Sequence, residues 1–332
     1  MPRRLMLSAL LIAGLVVSML AEGAGEARGV APATRALLAG ARSWGYQLQN
    51  IEAGPLIKSD YDVLVIDAGT PAPLAQITKR DLERMKRKPD GSRRLVLAYM
   101  NIGEAEDYRF YWRKEWAKSP PAWMGSENCR WRGDHRVRFW SPEWQRLVFG
   151  SRESVLGRIV RAGFDGVFLD RVDINRFWLK ERPTAYDDMV RFVGDLSKWA
   201  KSQAPGFLVV PQNGEDLLAS VAYRDVIDGQ AKEDLLFGDQ GNDVRNRPER
   251  HQKALAFLLE GKKAGLPVFV IEYIKQGANL AAAKTEIDAH GFVPYFGPRS
   301  LSRLGIGGPE HPEDGTTEQI MGEGAALEEK CS

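Results

Sequence analysis

Carboxylates recur where short apolar runs of this chain end. Val63-Leu-Val-Ile-Asp67 closes on Asp67, and the run 95–101 leads into Ile102-Gly-Glu104. Gly163-Phe-Asp-Gly-Val-Phe-Leu-Asp-Arg-Val-Asp173 carries a buried core, 167–169, and then Asp170 and Asp173. The run 207–211 is followed by Gln212-Asn-Gly-Glu215, the run 226–233 ends on Glu233, and the run 268–273 ends on Glu272 and Tyr273. Two carboxyl groups suffice to hydrolyse a glycosidic bond. A protonated one donates to the leaving oxygen, and an ionised one attacks the sugar or activates water. Aromatic rings and amides beside them suit carbohydrate, whose ring faces stack and whose hydroxyls hydrogen-bond. Taken alone, Asp170 also reads as a helix cap or as a partner of Arg171.

For these carboxylates to meet, the runs must be parallel strands ending at one mouth. Apolar runs without alternation mark strands covered on both faces. Eight such runs, at 44–48, 63–67, 95–101, 167–169, 207–211, 226–233, 268–273 and 292–296, alternate with helical or long loop segments. The pattern predicts an α/β fold of the (β/α)8 TIM-barrel type, whose chemistry sits at the carboxyl ends of the strands. No Gly-x-Gly-x-x-Gly follows the first run, which argues against a doubly wound dinucleotide-binding sheet. The fourth and sixth strands are alternate strands, and alternate strands place inward side chains in one layer. Asp170 and Glu233 are therefore the expected catalytic pair. Asp67, Glu104, Asp173, Asn213, Glu272 and Tyr273 are the expected substrate-binding residues around them.

Helices are expected over 74–88, 185–202, 215–220, 248–264 and 280–289. Another opens at Ser141-Pro142 and continues to Val160, with Trp144, Leu147, Val148, Val155, Leu156 and Ile159 on its apolar face. Tyr108, Tyr111, Trp112 and Trp116 are spaced to pack one helix onto the barrel, with a minority of the aromatics left to line sugar subsites.

The 332 residues, 44% hydrophobic and 27% charged, are ordinary globular material, and a net charge of +2 gives no case for nucleic-acid binding. Two cysteines and four histidines without clustered spacing give no zinc signature, so no metal or cofactor is expected. A bridge between Cys129 and Cys331 stays open. Arg3 and Arg4, the apolar stretch 5–21 and the small residues of Ala21-Glu-Gly23 or Gly25-Glu-Ala27 read as a secretory signal peptide over 1–27. An uncleaved membrane anchor is the alternative. Residues 28–40 read as a linker, 41–304 as the barrel domain, and 305–332 as a disordered acidic tail. The expected molecule is a secreted or periplasmic monomer with no stable membrane insertion after cleavage.

Four segments together resemble glycoside hydrolase family 114, the endo-α-1,4-polygalactosaminidase-like proteins. They are Ala98-Tyr-Met-Asn-Ile-Gly-Glu-Ala-Glu-Asp-Tyr-Arg109, the stretch from Gly163 to Asp173, Pro211-Gln-Asn-Gly-Glu215 and Gln230-Ala-Lys-Glu-Asp-Leu235. The resemblance runs from about Trp44 to Pro298. It implies a secreted hydrolase of galactosamine-containing exopolysaccharide, with its catalytic Asp and Glu falling on Asp170 and Glu233. The family pattern often has Asn where this chain has Arg171. That cation is expected to lower the pKa of Asp170, making it the ionised member and Glu233 the acid. Deacetylated galactosamine is cationic, and a carboxylate-rich mouth would attract it. The competing reading is a non-catalytic carbohydrate-binding barrel serving polysaccharide export or attachment.

Overall fold

In the computed structural model every one of the eight apolar runs contains a strand. The model describes residues 26–68, 77–241, 243–275 and 277–305, with side chains from residue 33 onward. Eleven strands follow in chain order: β1 (Trp44–Gln47), β2 (Val63–Asp67), β3 (Leu95–Asn101), β4 (Glu104–Glu106), β5 (Met124–Glu127), β6 (Asp134–Val137), β7 (Gly166–Asp170), β8 (Leu208–Pro211), β9 (Gln230–Glu233), β10 (Val268–Glu272) and β11 (Val293–Phe296).

Eight of them run parallel, in the orders β1-β2-β3-β7-β8 and β9-β10-β11. A parallel bridge between Gln212 and Ala231 joins the two sheets. At the other seam Trp44 Nε1 donates to the Val293 carbonyl and the Tyr295 hydroxyl to that of Tyr46. The architecture is the expected TIM barrel. Its register keeps the carboxyl ends level, with Asn101 opposite Asp170 and Glu233 opposite Ile271.

Alternation along each strand sorts side chains into two apolar layers. Trp44, Tyr46, Val65, Leu97, Phe168, Val210, Ala231 and Ile271 fill the lumen. Leu64, Ile66, Val96, Val167, Leu169, Val209 and Val270 face the helices outside. The outer layer includes helices Pro142–Val148, Val155–Ala162, Ala185–Gln203, Pro248–Lys263 and Gly277–Ala289. The helix expected from Ser141 to Val160 is two helices. Ser141 caps the first, Ser154 caps the second by accepting from the Gly157 amide, and Gly163 (φ 95) ends it. Gly163 leaves the helix in the left-handed conformation that glycine adopts without penalty.

Two expectations are corrected. The stretch 28–40 is not a linker but belongs to a helix, Glu26–Ala39. Leu38, fully buried, joins the lumen cluster from below, and burying that side chain holds the segment in place. Thr34 Oγ1 donates to the Gly206 carbonyl, and Arg35 pairs with Asp228 at 3.5 Å, both at the strand-start end. The aromatic segment is not a helix packed on the barrel either. Tyr108, Tyr111 and Trp112 lie in turns and irregular chain and Trp116 in a 3-10 turn at Lys114–Ala117, all between strands of a small antiparallel sheet ordered β4-β6-β5. Its rings satisfy one another edge to face, Trp112 against Trp116 and Trp116 against Trp123, with Trp123 tilted on Trp144. Such ring packing needs no helical periodicity.

Of the expected signal peptide over 1–27, residues 1–25 lie outside the described residues, as does the expected acidic tail beyond Gly305 with Cys331. Cys129 is disulfide-bonded. No helix among the described residues is long and apolar enough to cross a membrane.

Candidate active site

Strand parity decides which side chains reach the mouth. Val65, Leu97, Phe168, Val210, Ala231 and Ile271 face the lumen. Two residues further along each strand direction stand Asp67, Tyr99, Asp170, Gln212, Glu233 and Tyr273, on the same side by alternation. Below them lies the buried phenol of Tyr46. Burial raises it well above the usual tyrosine range, and then Asp170, Glu233 and Asp67 raise it further, in that order. One phenol thus feels the three inward carboxylates from strands β2, β7 and β9.

Asp170 Oδ2 accepts from the Tyr99 hydroxyl at 2.7 Å, and Oδ1 accepts from the Arg171 backbone N–H at 2.7 Å. Arg171 (φ 61) starts the turn that follows the strand. Burial pushes the Asp170 carboxyl up to about 7, with Arg171 and Tyr99 pulling the other way. This corrects the expectation that Arg171 would leave Asp170 with a lowered pKa. The guanidinium does lower it, but it is committed elsewhere, 3.2 Å from Glu104 and 3.9 Å from Asp173, so desolvation wins.

Glu233 is held differently. Its Oε1 accepts from the Tyr273 hydroxyl and its Oε2 from Gln212 Nε2 at 3.0 Å. Its backbone N–H donates to Asn213 Oδ1 at 3.2 Å, which also accepts from Lys232 Nζ at 3.1 Å. Asn213 therefore fixes the backbone under Glu233, with its own backbone in the left-handed region (φ 59). Behind Tyr273, the Arg299 guanidinium lies 4.2 Å from the ring centroid and makes two 2.9 Å bonds to Asp234.

Asp67 reaches the mouth bound to Arg109 at 2.7 Å, and Arg109 also holds the buried Glu106 at 2.6 Å. Asp173 stands at the rim, a quarter exposed. Two of the expected binding residues do not line the lumen. Glu272 is fully buried on the outer side, where its oxygens accept from the Leu236 and Phe237 amides at 2.7 and 3.2 Å. Burial raises it to about 8. It braces the loop after β9, because parity puts it opposite to Ile271 and Tyr273. Glu104, 1% exposed, is the first residue of β4 in the small antiparallel sheet and accepts from Asn128 Nδ2 at 3.0 Å.

Tyr46, Tyr99, Arg109, Gln212 and Arg299 belong to the site and were not among the expected residues. Parity could have found Tyr46, Tyr99 and Gln212, which stand two residues from Trp44, Leu97 and Val210. Arg109 and Arg299 come from loops, for which the sequence pattern carries no comparable signal. Among the described residues no cluster of His, Cys, Asp and Glu is arranged to hold a metal ion.

This geometry can be set beside known proteins. The model of glycoside-hydrolase family GH114 matches residues 25–318. An uncharacterized protein of Methanocaldococcus jannaschii is 33% identical over 272 residues, covering 76% of this chain and 74% of its own. One from Deinococcus radiodurans is 31% identical over 307 residues, covering 87% and 93%. The glycoside hydrolase domain of PelA from Pseudomonas aeruginosa shares the fold. Its TM-score is 0.61 at 19% identity, over 81% of this chain and 99% of that domain. A family match that spans the whole barrel, from the floor helix past the last strand, makes this chain a glycoside hydrolase of family GH114.

Proposed function

We propose that this chain cleaves a galactosamine-rich polysaccharide outside the cytoplasm, using Asp170 and Glu233 as its carboxylate pair. One observation carries the reading. These two carboxylates come from alternate strands, face the same lumen, and take their side-chain hydrogen bonds from neutral donors. Asp67 by contrast is committed to Arg109. A cationic amino sugar entering the mouth would therefore meet two carboxylates without a directly bonded side-chain cation.

The donors also allocate the roles. A backbone N–H can only donate, so Asp170 Oδ1 is an acceptor at every stage. That suits the ionised member, which attacks the anomeric carbon or activates water. A hydroxyl and a side-chain amide can each accept as well as donate, so Glu233 can carry the proton destined for the leaving oxygen. Desolvation makes ionised Asp170 a stronger base than an exposed aspartate.

The test is direct. Purified protein should release new reducing ends from partly deacetylated α-1,4-galactosamine polymer, and Asp170→Asn and Glu233→Gln should each abolish the release without loss of fold. Full activity in both variants removes the pair. Saturable binding with no new reducing ends identifies a binding barrel instead.

A further inference from the structure

We infer that Gln212 is a reversible amide that holds Glu233 in one position through both of its protonation states, a positioning role that rests on the acid assignment above. Gln212 leaves the end of β8 with 3% of its surface exposed. Its place is fixed by the backbone, through its own N–H to the Leu169 carbonyl and the bridge to Ala231. Its Nε2 donates to Glu233 Oε2 at 3.0 Å, while its Oε1 is buried with no hydrogen-bond partner among the described residues.

A buried carbonyl oxygen without a partner is unfavourable, because it has given up water and gained no bond in exchange. The same orphan explains how the amide can serve two states. The two ends of a carboxamide have nearly the same shape, and the end away from Glu233 has no protein bond to lose on turning over. With Glu233 ionised, the NH2 end donates to Oε2. Once Glu233 is protonated on Oε2, the amide turns by half a revolution and its oxygen accepts that proton's hydrogen bond. Tyr273 mirrors this on Oε1, since a phenol hydroxyl rotates and both donates and accepts. The carboxyl group thus cycles between acid and base without moving relative to the sugar. Asp170 has no counterpart on Oδ1, where the Arg171 amide is fixed.

The pH dependence of polymer cleavage tests the idea. Gln212→Glu puts a like charge beside Glu233 and keeps the shape. It should move the alkaline limb, where the acid loses its proton, upward by about one pH unit or more. Gln212→Met removes both donor and acceptor at similar volume. It should lower kcat on the order of tenfold with KM nearly unchanged, and Gln212→Asn should not restore it, because the shorter side chain cannot reach. A Gln212→Glu profile that superposes on the wild type, or a Gln212→Met kcat within twofold of it, overturns the inference while leaving the carboxylate pair standing. Undiminished activity of Glu233→Gln overturns both.

Discussion

The two carboxylates at this mouth are the same kind of group in opposite kinds of setting. Asp170 ends its strand and is gripped by the backbone of the turn that follows, with a guanidinium nearby. Glu233 is gripped only by side chains, Tyr273 and Gln212, that can reverse their hydrogen bonds. The difference teaches that role is written in the donors as much as in burial. Under the roles proposed here, an oxygen that only accepts can be held by the backbone, whereas an oxygen that carries the proton in one state and not in the other needs partners that change with it.

The largest effects should come from removing either carboxylate. Asp170→Asn and Glu233→Gln are each expected to lower kcat on the order of 10³-fold or more, measured as reducing ends released, with circular dichroism unchanged. Next comes the contrast between their tyrosines. Tyr99→Phe removes a donor that favours ionised Asp170, so the acid limb of the profile should move up and activity at pH 6 should fall more than at pH 8. Tyr273→Phe should lower the rate without moving that limb. Identical profiles for the two variants would erase the distinction drawn between the two ends of the site.

Stability should change in the opposite sense to activity. Asp170, Asp134 and Glu272 are raised to about 7, 8 and 8 by burial, above the roughly 4 that such groups take in an unfolded chain. Between those values the folded chain binds more protons than the unfolded one, so stability falls as pH rises through the window. Tm should be higher at pH 5 than at pH 9, and Asp170→Asn should narrow the gap. A wider gap in that variant would contradict burial as the cause. The smallest effect belongs to Arg109→Lys, which keeps the charge beside Asp67 but loses the fork that also binds Glu106. A several-fold rise in KM is expected there, read from initial rates.

The barrel was legible because strands buried on both faces write themselves as unbroken apolar runs, and every run from 44–48 to 292–296 contains a strand. That Asp170 and Glu233 point into one mouth was legible for the same reason, since strand count fixes which ends share a layer. Glu272 stands outside the lumen by strand parity, since its neighbours Ile271 and Tyr273 face inward. The segment around Trp112 misled because aromatic side chains pack at many spacings, so their periodicity is weak evidence for a helix. The direction of the Asp170 shift was out of reach, because Arg171 is adjacent in sequence while its guanidinium is engaged with Glu104.

The helix Glu26–Ala39, whose Leu38 fills the lumen from the strand-start end, makes the barrel a vessel with a stopper. One opening then remains, and a polymer bound as proposed would lie across the rim rather than thread through. Cutting at either small-residue site near Gly23 or Ala27 would leave the stopper in place. A shortened chain beginning at Ala41, where the strand pattern alone puts the domain boundary, would uncork the floor and wet the tryptophan and tyrosines that line it.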